Sequence, residues 1–261
     1  EVADFSAWFN MQVPLNANTH FYAFGGSGNR NVEAFAYTRA ANEDRNVVDI
    51  YRKGFDPIIA SVVNDHSLST GLRGDIKGWD VDFNMSTGKN KMHYYGRNTL
   101  NASLGSASPT EFDDGGFSLM QSSTSIDFSR YFNEVLRGLN IAYGAEYRID
   151  NYTIFAGEEG SWFNYGGLFI DGGDTTTRPG GSQGFPGFQP SDVTDEYRSN
   201  VGVYLDVEAD ITNDFALSAA LRYEDYSDFG NTITGKLAAR YAISDKYAIR
   251  GSVSNGFRAP S

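Results

Sequence analysis

Three histidines, His20, His66 and His93, are the only imidazoles in the chain, and cysteine is absent. Metal binding or nucleophilic catalysis would require such rings to meet one another, or a carboxylate, at the close spacings that ligand sets use. No such spacing joins these three, so they are read as surface or channel histidines, with no metal, no cofactor and no enzymatic activity expected. Two carboxylate pairs, Asp113 with Asp114 and Asp171 with Asp174 in DGGD, have the oxygen chemistry that calcium takes. Neither fits the full loop spacing of a calcium motif, and solvated turns are the expected reading. GGSGN at Gly25 to Asn29 precedes no helix, which makes it a flexible strand exit rather than a phosphate cradle.

Recognition is better supplied than catalysis. Trp162, Phe163, Tyr165, Phe169, Phe185 and Phe188 fall among glycines with Arg178 in the stretch Phe155 to Tyr197. Such rings either stack on a sugar or an aromatic chelate, or pack on one another to hold their own segment in place. A second group, Arg39, Arg45, Tyr51 and Arg52 with Tyr94, Tyr95 and Arg97, has the guanidinium forks that pair with an anionic ligand such as a ferric chelate.

Strands must present these segments, because the chain alternates apolar and polar residues over most of its length. Phe215, Leu217, Ala219, Leu221 and Tyr223 share one parity, while Ser218, Arg222 and Glu224 share the other. The same period of two recurs around Phe5 to Val13, Thr19 to Gly25, Leu68 to Ile76, Trp79 to Ser86, Phe117 to Phe128, Leu139 to Asp150, Val201 to Asp210, Ile233 to Ile243 and Tyr247 to Phe257. That predicts about ten strands, each with two differently solvated faces. In the clearest strands the apolar parity carries no charge, in keeping with a penalty of about 2 to 4 kcal/mol for a Lys or Arg facing lipid at mid-membrane. Glu146, Arg148, Glu208, Arg222, Glu224, Lys236, Arg240, Arg250 and Arg258 fall on the polar parity. They are expected to face a lumen, as cross-strand charge ladders.

Composition agrees. Aromatics make up 15% of the residues, glycine is abundant at 29 and the chain carries a net charge of -12; mean hydropathy is -0.41. A chain rich in β-formers yet polar on average suits a transmembrane barrel, in which every second residue meets lipid. No apolar run is long enough for a helical span. The acidic balance argues against nucleic acid as partner, since phosphate binding needs clustered cations. EVADFSAWFN at the start has no secretory signal pattern, and the sequence is expected to be a mature or excised piece.

Connections alternate in length. Short ones are expected at Pro14 to Asn18, Lys77 to Gly78, Arg130 to Gly138, Thr212 to Asp214 and Ser244 to Lys246, and long ones at Asn29 to Val63, Gly88 to Gly116 and Phe155 to Tyr197. Outer-membrane barrels have short periplasmic turns and long outer loops. The fold class is therefore all-β, an antiparallel up-and-down transmembrane β-barrel, and Asp228 to Asn231 is the one short link at the long-loop end.

NTLNASLGSASPTEFDDGGF (Asn98 to Phe117), GAEYR, FPGFQPSD, RYEDYSDFG (Arg222 to Gly230), KLAARY and GFRAPS (Gly256 to Ser261), taken as an ordered set, resemble the barrel of a TonB-dependent outer-membrane receptor. The resemblance covers roughly the last two-thirds of the chain. It implies a 22-stranded barrel closed by an N-terminal plug, which the lumen-facing charges named above would contact, in the outer membrane of a Gram-negative bacterium. Such a barrel imports a scarce nutrient (ferric siderophore, vitamin or oligosaccharide) with energy relayed through the TonB complex. No plug, TonB box or aromatic C-terminal residue is visible in the sequence, so the 261 residues are expected to be a middle part of such a barrel. TonB would then be engaged through a plug region outside this sequence, with lipid and the nutrient as further partners. A passive porin or adhesin barrel, and a soluble carbohydrate-binding β-sandwich, are the alternatives.

Overall fold

The computed structural model describes residues 1–257; Arg258 lies outside them. Six strands come first as successive hairpins: β1 (Val2–Pro14), β2 (Thr19–Phe35), β3 (Ile58–Ile76), β4 (Trp79–Arg97), β5 (Phe112–Phe132) and β6 (Leu139–Phe155). A small separate hairpin, β7 (Leu168–Asp171) and β8 (Asp174–Thr177), lies within the next connection. It is followed by β9 (Thr194–Asp210), β10 (Phe215–Tyr226), β11 (Gly230–Ser244) and β12 (Tyr247–Ser254). Apart from the β7–β8 pair, the strands form one ten-stranded sheet in the order β1-β2-β3-β4-β5-β6-β9-β10-β11-β12. Every neighbouring pair is antiparallel. This is an up-and-down all-β sheet, as the alternation requires.

Register turns the alternation into two walls. One row across the sheet runs Leu72, Phe83, Ile126, Ala145, Val203, Tyr223 and Ile233. The row one residue away runs Arg73, Asp82, Asp127, Gly144, Tyr204, Arg222 and Thr234. A slip of one residue would exchange them, so the register is fixed by which solvent each face meets. The apolar wall is uncovered: Leu205 is 48% exposed and Ile249 65%. A contiguous apolar face of this extent is untenable in water and suits a lipid environment. No helix among the described residues is long and apolar enough to cross a membrane.

The strands extend further than the alternation predicts. The long connections shrink to residues 36–57, 98–111 and 156–193, because β2 to β6 and β9 continue beyond the apolar band. There both faces meet water and hydropathy loses its period, while the backbone ladder goes on. The short turns all lie at the opposite end, and residues 227–229 make a short link at the long-loop end. At the tightest turn Lys77 and Gly78 both take positive φ, 56° and 81°, as a two-residue hairpin turn of the primed type demands.

Candidate functional site

The three long connections meet above one end of the sheet and are knitted into a single cap. Its small apolar centre is Val47, Phe55, Leu100 and Ala102, with Ile50 and Tyr51 packed against it. Around this centre buried polar side chains bond backbone. Asn101 donates to the carbonyls of Gly160 and Phe163, at 2.8 Å each, and accepts from Ser103 through both N–H and Oγ. Thr99 Oγ1 donates to the Gln183 carbonyl at 2.7 Å. Arg39 Nε donates to Gln183 Oε1 at 3.1 Å. Arg178 donates to the Asp44 carbonyl at 2.9 Å, to the Asn46 carbonyl and, through Nε, to the Leu168 carbonyl at 3.1 Å. Buried polar groups are costly unless bonded, and the bonds of Asn101 to Gly160 and Phe163, of Thr99 and Arg39 to Gln183, and of Arg178 to Asp44 and Asn46 each tie one connection to another.

A bulge on β5 adds the pivotal carboxylate. Tyr94 faces Gly115 and Tyr95 faces Asp113, leaving Asp114 as the extra residue. Bulges re-aim side chains: Asp113 accepts from His93 Nε2 at 2.7 Å, while Asp114 points under the cap with no exposure to solvent. Ser182 Oγ donates to Asp114 Oδ1 at 2.9 Å, Oδ2 has no partner, and the Asp114 carbonyl accepts from Phe188 N–H at 2.9 Å. Burial, with Asp113 and Glu158 nearby, pushes its pKa from 3.8 up to about 7. Gly187 passes so close that a Cβ there would lie 2.0 Å from Ser161 Oγ, which accounts for glycine at that position.

The residues predicted from sequence, Arg258 aside, fall at distinct places in the structure. Tyr94 stands beneath the cap against Phe185, with centroids 4.8 Å apart. Tyr95, on the opposite face, stacks on His93 at 4.4 Å. Arg97 is paired with Glu33 at 2.5 Å. Trp162, Phe163 and Tyr165 form a chain of edge-on contacts at 5.6 and 5.0 Å. Phe163 and Tyr165 remain exposed, as do Arg45 and Arg52. Arg39 and Arg178 are committed to the cap itself. DGGD is the tip of the β7–β8 hairpin, with Gly172 and Gly173 at φ 58° and 102°. No group of potential metal ligands is found among the described residues.

On the inner wall Arg222 sits between Glu224, at 3.0 Å, and Glu146, at 3.6 Å. Arg148 pairs with Asp150 at 3.5 Å. Tyr204 donates to Asp127 at 2.7 Å and Tyr22 to Asp82 at 2.8 Å, which separates two carboxylates that the register sets opposite each other. Glu208, Lys236, Arg240 and Arg250 share one open groove of ≈ 610 Å³ near the short turns. Arg240 lies directly opposite Arg250, an arrangement that favours an anionic partner.

The cap's organising residues, Asn101, Asp114, Ser182 and Gln183, escape sequence reading because their partners lie 68 or more positions away in two of the bonds. Only the paired carboxylates at Asp113 and Asp114 gave a signal.

Residues 4–261 match the family model described as TonB dependent receptor-like, beta-barrel. No curated protein matches the sequence. Among solved structures, the chain is similar to Pseudomonas aeruginosa FpvA bound to a heterologous pyoverdine with iron, at 13% identity and a TM-score of 0.63, over 96% of this chain and 35% of that one. It is similar to the RagAB peptide transporter at 9% identity and a TM-score of 0.59, over 93% and 30%. It is similar to Fiu, the ferric-catecholate import receptor of E. coli, at 10% identity and a TM-score of 0.57, over 94% and 42%. The chain thus spans less than half the length of these proteins, and at such identities the likeness is one of fold.

Proposed function

The chain belongs to the TonB-dependent receptor β-barrel family, and from that premise we propose that it forms part of the wall and outer loops of a receptor importing a scarce nutrient across a Gram-negative outer membrane. Members of the family are receptors and transporters of that membrane rather than enzymes. The observation that carries the reading is the pairing of an uncovered apolar wall with a charged inner wall under a cap built from the three long loops. Ligand is captured on the exposed cap, where Phe163, Tyr165, Arg45 and Arg52 offer rings and cations. The groove with Lys236, Arg240 and Arg250 faces a plug supplied by another part of the protein, and TonB acts through that plug. A ferric siderophore is the favoured cargo: free arginines and rings on the loops fit an anionic aromatic chelate, and FpvA and Fiu handle such chelates.

Radio-iron uptake by cells deleted for the full-length gene tests this. Uptake of one ferric chelate should disappear, return with the wild-type gene, and return only partly with Phe163→Ala, Tyr165→Ala or Arg45→Ala. Loss of peptide or oligosaccharide uptake instead would overturn the cargo. Uptake that persists without TonB would overturn active import in favour of a passive pore.

A further inference from the structure

The outer wall changes character at one height. Counting from the Lys77–Gly78 turn, the lipid-facing parity of β4 reads Trp79, Val81, Phe83, Met85, then Thr87, Lys89, Lys91; that of β3 reads Ile76, Gly74, Leu72, Thr70, Leu68, then His66 and Asn64. His66 and Lys89, directly paired, each stand about ten residues along their strands from that turn. At about 3.3 Å per residue and a tilt of roughly 40° this is about 25 Å, the height of an outer-membrane apolar band. Both lysines therefore project at the outer boundary of the bilayer. Neither forms an ion pair among the described residues; Lys91 Nζ rests 4.7 Å from the Phe155 ring centroid. Asp113, which the register sets on this wall of β5 opposite Tyr95, is already bonded to His93. In a chain of net charge -12, two uncompensated lysines on the lipid-facing side are out of keeping with the rest.

Beside and below them the wall is dented. A groove of ≈ 670 Å³ opens there, lined by Ala7, Phe9, Leu68 and Met120, with His66 and Lys89 at its edge. An apolar trough with unpaired cations at the bilayer boundary has the chemistry of a lipid whose acyl chain lies in the trough and whose phosphate meets the lysines.

We infer that Lys89, Lys91 and His66, with the groove beneath them, bind a phosphorylated, acylated lipid of the outer leaflet. The inference rests on the membrane-barrel reading. The full-length receptor, purified in mild detergent, would be loaded with hexa-acylated diglucosamine bisphosphate and the retained lipid read by native mass spectrometry. Wild-type protein should keep the lipid. Lys89→Gln/Lys91→Gln should keep roughly thirtyfold less, since each cation near a lipid surface contributes about a fivefold factor, and Lys89→Arg/Lys91→Arg should restore it. The dephosphorylated lipid should bind wild-type protein as weakly as the phosphorylated lipid binds the glutamine variant. Ala7→Leu, which fills the groove without touching charge, should weaken retention of both lipids. Equal retention by the glutamine variant, equal retention of the dephosphorylated lipid, or full displacement by millimolar inorganic phosphate would each overturn the inference. Heat-modifiable mobility of the same samples separates the two levels: a protein that never forms a barrel defeats the membrane reading, whereas a folded barrel that keeps no lipid defeats only this site.

Discussion

A carboxyl with one oxygen bonded and the other bare, shut away from water, is at ease only when protonated. For Asp114 the unfolded or released group ionises near 3.8 and the capped group near 7. The capped state thus holds more protons between those values, and its stability falls as pH rises through that window. Below it the latch through Ser182 is fully present; above it an ionised Asp114 presses on Asp113 and Glu158. Limited proteolysis of residues 156–193 should therefore be slower at pH 5 than at pH 8 in wild-type protein. Asp114→Asn, neutral throughout, should flatten that dependence; a wild-type rate independent of pH would count against the latch. Arg178 is the complementary tie. Arg178→Ala leaves the Asp44 and Asn46 carbonyls without their donor, at about 1–3 kcal/mol for each buried group. Cleavage in residues 36–57 should then increase several-fold, with folding of the sheet unaffected.

Strands were legible wherever their two faces meet different solvents. Phe215 to Tyr223 announces β10 by alternation alone, and the observed strand, Phe215–Tyr226, differs by a few residues. β3 shows the limit: Leu68 to Ile76 was evident, but the strand begins at Ile58, since Val62, Val63 and Asn64 stand where both faces are wet. β7 and β8 were hidden in a long loop, although Gly172 and Gly173 between short β-forming runs carried the two-residue turn signature. The cap was not legible, because Thr99 meeting Gln183 or Arg178 meeting Asn46 depends on how distant loops fold together. At this scale the faces can be tested. Leu205→Arg, on the apolar wall of β9, should cost about 2–4 kcal/mol of folding stability in lipid. Thr234→Arg, on the inner wall of β11, should change it little. Equal penalties in a lipid-vesicle refolding titration would mean that the two walls are not differently solvated.

At the scale of the whole molecule the two edges of the sheet govern closure. β1 and β12 are the two ends of the ten-stranded sheet, and among the described residues each leaves one row of backbone N–H and C=O groups without a neighbouring strand. In hydrocarbon every such group costs several kcal/mol, so an open edge cannot persist there. Either further strands pair with both edges, or the ten strands curl until β12 meets β1. The inner wall argues for the first. Curling ten strands tightly would press Arg222, Lys236, Arg240 and Arg250 towards the Asp4–Arg30 and Arg73–Asp80 pairs across a narrow lumen, and their groove would lose its opening. Exported alone, residues 1–261 should therefore yield no heat-modifiable, protease-resistant species in the outer membrane, whereas the same segment within the full-length receptor should. A stable band from the segment alone would show that it closes on itself, and the inner charges would then line a pore instead of facing a plug.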